Sequence, residues 1–550
     1  MTVSWSTVTA ERQVLAVTRT WTSLDRIRDL LPIFADDPRV QVIFTVDQGS
    51  VFSVGLFEHL RGIGMRVISW EEAITREFDA ILAASDHSDL HLLQGPLMLL
   101  PHGAGYQKYT VHSADDHREL SGLTGTALRH DGRTIPASVA LSHPNQLDLL
   151  RAATPDADTL ALVVGDPCMD RLRALSRNRD RYRAALGVEP HQRLITVTST
   201  WGPGSALGRW PTLPADLLTE LEHDRYRVAA VLHPNVWTFH GSWQVRHWLA
   251  RATDAGLILL SPDGPWHLGL VAAHTVLGDH GSLSAYTSGL GHPLLLAAFD
   301  ASQVPPGTAM ASLGQKIPRL ERHRSLGEQI QDALDNPNPG LLADLADQVF
   351  SHPGEALARI QRRTYELLAL PEPPYPPAPA TVVPEIPPIR RPRSFQVETE
   401  VLPDEPETVY LHRIPARLAH PGPTHRHLLA YDDEPDETIL QNAGAILTDD
   451  PHEDWAATTL TRYPGCLLVA APSATGTLSV WFHDGARAEI TTTTNDAAWD
   501  NALSVSGLYA LLSHRNRRTG EVLVRAGLLS GSVVVTGQFG EPRPPAGDLL

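Results

Sequence analysis

Over its first 370 residues the chain alternates short apolar runs with amphipathic stretches. Apolar runs bounded by turn formers read as buried strands, and stretches with apolar positions three and four apart read as helices. QVLAVT (13–18), VQVIFTV (40–46) and RVISW (66–70) are predicted strands, with helices over 23–36 and 50–64 between them. FDAILAAS (78–85), PLMLLP (96–101), PASVALS (136–142) and TLALVVG (159–165) continue the series. A second series begins at LITVTST (194–200) and runs through YRVAAVLHP (226–234), LILLSP (257–262), TVLGD (275–279) and PLLLAAF (293–299). GEALARIQRRTYELLAL (354–370) predicts a closing helix. Such alternation predicts parallel sheets with crossover helices. The expected architecture is therefore α/β, with two doubly wound, Rossmann-like domains over residues 1–188 and 189–370.

Ten prolines between 371 and 393 forbid a packed helix or a central strand there. Residues 371–397 are read as a linker, and 398–550 as an accessory α/β or α+β domain. Its apolar runs fall at 426–433, 443–450, 465–472, 478–482 and 529–537, with a helical stretch at 495–514. It carries no chemical motif.

The chain's 550 residues fit about three domains at roughly 100–200 residues each. A content of 42% hydrophobic and 20% charged residues marks a folded protein. The formal charge of −18 argues against nonspecific binding to nucleic acid or an anionic membrane. Cys168 and Cys466 lie far apart and give neither a disulfide framework nor metal-ligand spacing. No metal and no cofactor are expected. The N-terminal MTVSWSTVTAERQ lacks the blocks of a signal peptide, and no apolar run approaches the ~18 residues of a membrane span. A cytoplasmic protein, at most peripheral to the inner face of the membrane, is the expectation. Arg carries nearly all the basic charge and Pro and Ala are abundant, which suggests a GC-rich bacterial source.

In open α/β sheets, ligands bind beyond the carboxyl ends of the strands, so chemistry is expected in the loops that follow them. In LLPHGAGYQK (99–108), His102 opens such a loop. Gly103 and Gly105 let its backbone turn tightly or approach a ligand closely. Lys108, one of two lysines in the chain, follows. An imidazole there can serve as a general base or simply cap the strand end. In GDPCMDRL (165–172), Asp166 and Pro167 suit the start of a helix, and a plain strand–helix joint is the simpler reading. In TSTWGPGS (198–205), Gly202, Gly204 and Ser205 can turn backbone N–H groups toward phosphate, though without Walker spacing. His233 ends a strand in LHPN (232–235), as a phosphate donor or a structural joint. Richest is GDHGSLSAYTSG (278–289), where Asp279, His280, Gly281, Ser282 and Ser284 stand at a predicted helix start. Helix N-termini expose unpaired N–H groups and bind phosphate well.

These motifs, in this order, resemble the CDP-glycerol glycerophosphotransferases of wall teichoic acid synthesis, within the nucleotide-sugar-dependent transferases of GT-B fold. The resembling features are the His-Gly loop at His102 and the Gly-x-Pro-x-x-Asp joint at Gly165, Pro167 and Asp170. To these add Thr200-Trp201, the His233-Pro234-Asn235 turn and the Asp279-x-x-Ser282 turn, all within residues 13–300. The resemblance implies a base or phosphate-contacting role for His102 and donor-phosphate contacts from His233 and Ser282. Gly281 replaces the first of the family's two serines, and Tyr286 and Ser288 stand where an acid is usual. His280-Gly281 is similar instead to the turn of UDP-sugar glycosyltransferases, whose ribose-binding acid falls near Ser288. The resemblance implies a transferase acting on a nucleotide-activated donor, CDP-glycerol or a UDP-sugar. Its acceptor would be a hydroxyl, as on a cell-wall polymer or a lipid-linked glycan. Two alternatives share the architecture: a UDP-sugar 2-epimerase-like enzyme, and a degenerate scaffold or sensing protein without activity.

Overall fold

A computed structural model of the chain describes residues 7–47, 49–50, 52–85, 88–110, 119–381, 386, 389–402, 407–419 and 426–538. The first six residues and part of the Pro-rich stretch, both read above, lie outside these.

Seven parallel strands form the first sheet: β1 (Arg12–Thr18), β2 (Val40–Val46), β3 (Val67–Ile68), β4 (Ala80–Ala83), β5 (Leu97–Leu99), β8 (Pro136–Leu141) and β9 (Ala161–Val163). A short antiparallel ribbon, β6 (Arg129–His130) with β7 (Arg133–Thr134), interrupts the series. The sheet order is β3-β2-β1-β4-β5-β8-β9, so the winding reverses between β1 and β4. The second sheet holds β10 (Arg193–Ser199), β11 (Tyr226–Leu232), β12 (Ile258–Leu260), β13 (Thr275–Gly278) and β14 (Leu294–Leu296). Its order, β12-β11-β10-β13-β14, reverses between β10 and β13. Both sheets are doubly wound, as the alternation predicts.

Two helices differ from expectation for local reasons. The helix predicted over 23–36 starts at Trp21, where Thr20 and Ser23 cap each other reciprocally. It buries Leu24, Ile27 and Leu30, then tightens into a 3-10 turn at Leu31–Phe34, where Pro32 removes a donor. The helix predicted over 50–64 shrinks to Leu56–Gly62, because Gly55 just before it is left-handed at φ 77°.

The chain crosses back after the second sheet. Helix Ala356–Leu368 packs Leu357, Ile360 and Leu368 into the apolar core under β1, β2 and β4. Gln361 Nε2 donates to Ile33 O (2.8 Å), and Arg12 Nε donates to Leu368 O (2.8 Å). In exchange, helix Pro167–Ser176 packs Met169, Leu172 and Leu175 into the core of the second sheet. These crossings lock the two lobes so that the carboxyl ends of their strands share one cleft.

The C-terminal part is α+β. Strands β15 (Ser394–Leu402), β16 (Thr408–Pro415), β17 (Arg426–Tyr431), β18 (Ala445–Leu447), β19 (Leu468–Pro472), β20 (Leu478–Phe482), β21 (Arg487–Thr494), β22 (Gly520–Ala526) and β23 (Leu529–Gln538) close into a mixed barrel. β15 begins at Ser394, inside the stretch read as linker. Helix Asn501–Arg515 fills the interior; it is buried on nearly every face among inward residues such as Val522 and Val524. Helices apolar all round are core helices. Arg413 fastens the barrel to the second lobe. It is buried between Asp224 and Asp500, and its Nε donates to Asp224 Oδ2 at 2.9 Å.

Candidate functional site

A cleft of about 390 Å³ opens between the carboxyl ends of the two sheets. Its walls come from the loops after β1, β5, β10, β11 and β13, which include the switch points of both sheets.

From the first lobe, the His102 loop forms one wall. A Cβ at Gly103 would meet Ser282 Oγ of the second lobe, so the two walls touch at this glycine and a larger residue would turn the Ser282 hydroxyl aside. Gly105 is left-handed at φ 71°, and a Cβ on it would strike the Gln146 and Ser142 side chains. Lys108 Nζ crosses the gap and donates to Thr200 Oγ1 at 3.1 Å. Burial pulls the lysine pKa down, while Asp279 works against that shift.

From the second lobe, Asp279 is a brace. Its Oδ2 accepts from the backbone N–H of Thr200 (2.8 Å) and Ala206 (2.9 Å), and its Oδ1 from Gly281 (2.8 Å). Both oxygens being taken, the carboxylate ties the 200–206 loop to the helix start and does not reach for a ligand. His280 is buried, and its Nδ1 accepts from Asp300 N (3.4 Å), which leaves Nε2 to donate to Gln303 Oε1 (3.3 Å). Burial, reinforced by Lys108, pushes its pKa down to about 4. Helix Ser282–Leu290 then starts from Gly281 with no side-chain cap. Its first turn, with the Ser282 hydroxyl, faces the cleft.

His233 completes this wall. Its Nδ1 accepts from Asn235 N at 3.1 Å, so the ring proton sits on Nε2. Burial, helped by Lys108 and His102, pushes its pKa down to about 3. The imidazole is a neutral N–H donor.

Thus His102, Gly103, Gly105, Lys108, His233, Asp279, His280, Gly281 and Ser282 all line one cleft. Three expected residues do not. Ser284 turns its hydroxyl to Asp279 O (2.6 Å), inside the helix. Gly202 sits in a left-handed turn closed by Ser205, and Gly204 packs against Asp300 and Gln303. Neither glycine of the loop expected to face phosphate is among the residues that line the cleft, whereas Trp201, next to them, lines it with its ring 5.6 Å from that of Phe52. Ser288 is also buried outside the cleft, donating to Ser284 O. Asp170 caps the returning helix, accepting from Gly354 N (2.6 Å) and Ala356 N (3.1 Å).

Sequence reasoning missed the polar floor. Arg26 donates to Gly103 O (3.0 Å), to Tyr286 Oη (2.7 Å) and to Asp166 (3.2 Å), stitching the first lobe to the second. Asp25 accepts from Trp266 Nε1 at 3.1 Å, and burial with repulsion from Asp29 pushes its pKa up to about 7. These residues lie on the polar side of an amphipathic helix, and only the fold reveals that this side faces a cleft.

Two doubly wound lobes that face each other across such a cleft are the GT-B arrangement. No protein-family model matches the chain, and no curated protein matches it. Among solved structures, the wall teichoic acid polymerase TagF aligns over 66% of this chain and 90% of its own, at 10% identity and TM-score 0.43. The Staphylococcus aureus MnaA–UDP complex aligns over 67% and 100%, at 12% identity and TM-score 0.42. A Listeria monocytogenes protein assigned as a UDP-N-acetylglucosamine 2-epimerase aligns over 66% and 99%, at 16% identity and TM-score 0.43. Among the described residues, no helix is long and apolar enough to cross a membrane.

Proposed function

We propose that the chain is a transferase that moves a glycerol-phosphate or sugar group from CDP-glycerol or a UDP-sugar to an acceptor hydroxyl. One observation carries this reading: an imidazole from the first lobe, His102, and an uncapped helix start in the second, at Gly281–Ser282, line the same cleft. The helix start would hold the donor's phosphates through its free-ended first turn and the Ser282 hydroxyl. His233 adds a fixed Nε2–H donor. Lys108 adds positive charge where negative charge grows on the departing nucleotide. The acceptor oxygen attacks the donor phosphorus or sugar carbon, the bond to the nucleotide breaks, and His102 takes the acceptor's proton. General-base help of this kind is typically worth ~10²–10⁴ in rate.

Calorimetry with CDP, UDP and CDP-glycerol, followed by turnover with the donor that binds, tests the reading. Micromolar affinity for one of them is expected, with His102→Ala keeping that affinity and losing about 10²–10⁴ of the rate. Absence of binding to all three overturns the reading and favours the inactive scaffold.

Asp25 supports a second reading. A 2-epimerase must remove and return a proton on carbon, and a cleft carboxyl with its pKa raised to about 7 suits that task. Incubation with a UDP-sugar in D2O separates the two, since only epimerisation carries deuterium onto the sugar ring.

A further inference from the structure

We propose that Asp29, Cys168 and His267 form a binding site for a thiophilic divalent cation of the zinc type, at the floor of the cleft. The three residues come from three elements far apart in sequence. Asp29 lies on helix Trp21–Leu30, Cys168 on helix Pro167–Ser176 and His267 on helix Trp266–Val271. The fold brings a carboxylate oxygen, a thiol sulfur and an imidazole nitrogen within 4.8 Å of one another. All three side chains are buried, at 5%, 3% and 4% exposure.

The independent sign of a ligand is the imidazole. His267 Nε2 is buried with no hydrogen-bond partner. Buried polar atoms are nearly always satisfied, so one left open needs an explanation. Trp266 stacks on the ring at 3.7 Å and holds its plane, which limits its means of finding another partner.

The chemistry of the donor set suits a cation. Asp25, Asp29 and Asp166 surround the site, opposed by Arg26 and Arg171, while Arg28 stands partly exposed at the edge. Arg171 Nη1 holds Asp29 Oδ1 at 2.9 Å, which orients the carboxylate and leaves Oδ2 for the metal. A sulfur, nitrogen and oxygen donor set suits zinc, whose bonds of about 2.0–2.3 Å place ligand atoms about 3.5 Å apart. Binding would turn the side chains to bring their ligand atoms that close. Asp29 and Cys168 line the cleft, so the fourth position opens toward it and gives the ion a way in. Bound there, the metal would clip the first lobe's opening helix to the second lobe. This assignment does not depend on the transferase reading.

The full chain, stripped of metal by a chelator and titrated with Co²⁺, tests the site. Expected is one equivalent bound, with a near-ultraviolet thiolate-to-cobalt charge-transfer band and tetrahedral visible bands. Cys168→Ser should abolish the charge-transfer band, whereas Cys466→Ser, at the other buried thiol, should keep it. His267→Gln should weaken binding by more than the about 10–100-fold that loss of a merely supporting group costs. Wild-type protein without the charge-transfer band, or Cys168→Ser protein that retains it, overturns the proposal. The wild-type spectrum alone decides the matter should a variant not fold.

Discussion

Two His-Pro-Asn turns occur in this molecule, and they have the same local chemistry. His143-Pro144-Asn145 follows β8, and His233-Pro234-Asn235 follows β11. In each, the asparagine N–H donates to the histidine Nδ1 at 3.1 Å, and the proline opens a helical turn. Their surroundings differ. β11 neighbours β10 at the switch point of its sheet, and His233 lines the cleft. β8 lies beyond β5, away from the switch, and Asn145 Nδ2 there donates to Gln348 O (2.7 Å) on the returning chain. The motif therefore sets a ring tautomer and a cap. Its position in the sheet decides whether the histidine lines the cleft.

The largest way to break this contrast leaves both turns intact. Asp279→Ala removes the brace that gathers the Thr200, Ala206 and Gly281 amides beside the second turn. Three buried N–H groups would lose a charged acceptor, at a cost of about 3–5 kcal/mol in stability. Urea unfolding checks the loss. A change below ~1 kcal/mol would mean that the loop holds itself and that Asp279 serves another purpose.

The next test acts on the second turn alone. His233→Ala should weaken nucleotide diphosphate binding by about 10–100-fold, the worth of a hydrogen bond to a charged group. His233→Asn should bind as weakly but keep its stability, because its side-chain oxygen can still accept from the Asn235 N–H. Equal affinity in wild type and both variants, by calorimetry, would reduce this turn to the status of the first.

The comparison also shows which parts of the molecule were legible in sequence. Strands such as 40–46 and 226–232 were, because a buried parallel strand is a short, mainly apolar run rich in β-branched residues whatever its neighbours. Their trailing loops were legible too, which placed His102, His233 and Ser282. Orientation was not. Gly202 and Gly204 read as a phosphate loop, yet neither is among the residues that line the cleft. Ser284 read as a donor, and its hydroxyl bonds within its own helix. Arg26 and Asp25 sit among ordinary polar helix positions, so only the packing of the second lobe makes them floor residues. Closure of the barrel was equally hidden, since the β15–β17 and β16–β22 pairs join strands through contacts no local pattern records.

A smaller effect comes from acid. Burial holds His233 neutral, with its pKa down at about 3, whereas an unfolded histidine titrates near 6.5. Between those values the unfolded chain binds more protons, so stability is full above about pH 6.5 and falls as pH drops toward 3. His274, His292 and His427, also pushed down to about 3, 4 and 3 by burial, act in the same sense. Asp25, raised to about 7, opposes them by one proton. His233→Ala should make the acid loss shallower, by up to about 1.4 kcal/mol per pH unit. Urea midpoints at pH 7 and pH 4.5 measure the difference. An unchanged slope would place the His233 imidazole in water rather than in the cleft wall.

The smallest effect belongs to the first turn. His143→Ala removes an acceptor from the Asn145 N–H, one of the amides a helical start leaves without an internal partner. Caps of this kind are worth about 0.5–2 kcal/mol, and the low end applies here because Pro144 and Asn145 are exposed and water can replace the imidazole. The turn is also held from outside by the Asn145 side chain on Gln348 O, which the substitution leaves in place. Nucleotide affinity should stay within error of wild type, because His143 does not line the cleft. His143→Ala and His233→Ala thus delete the same cap from the same motif and should part only in binding. If His143→Ala costs affinity as His233→Ala does, the loss comes from a helix start loosened in either lobe, and the direct contact assigned to His233 has to be given up.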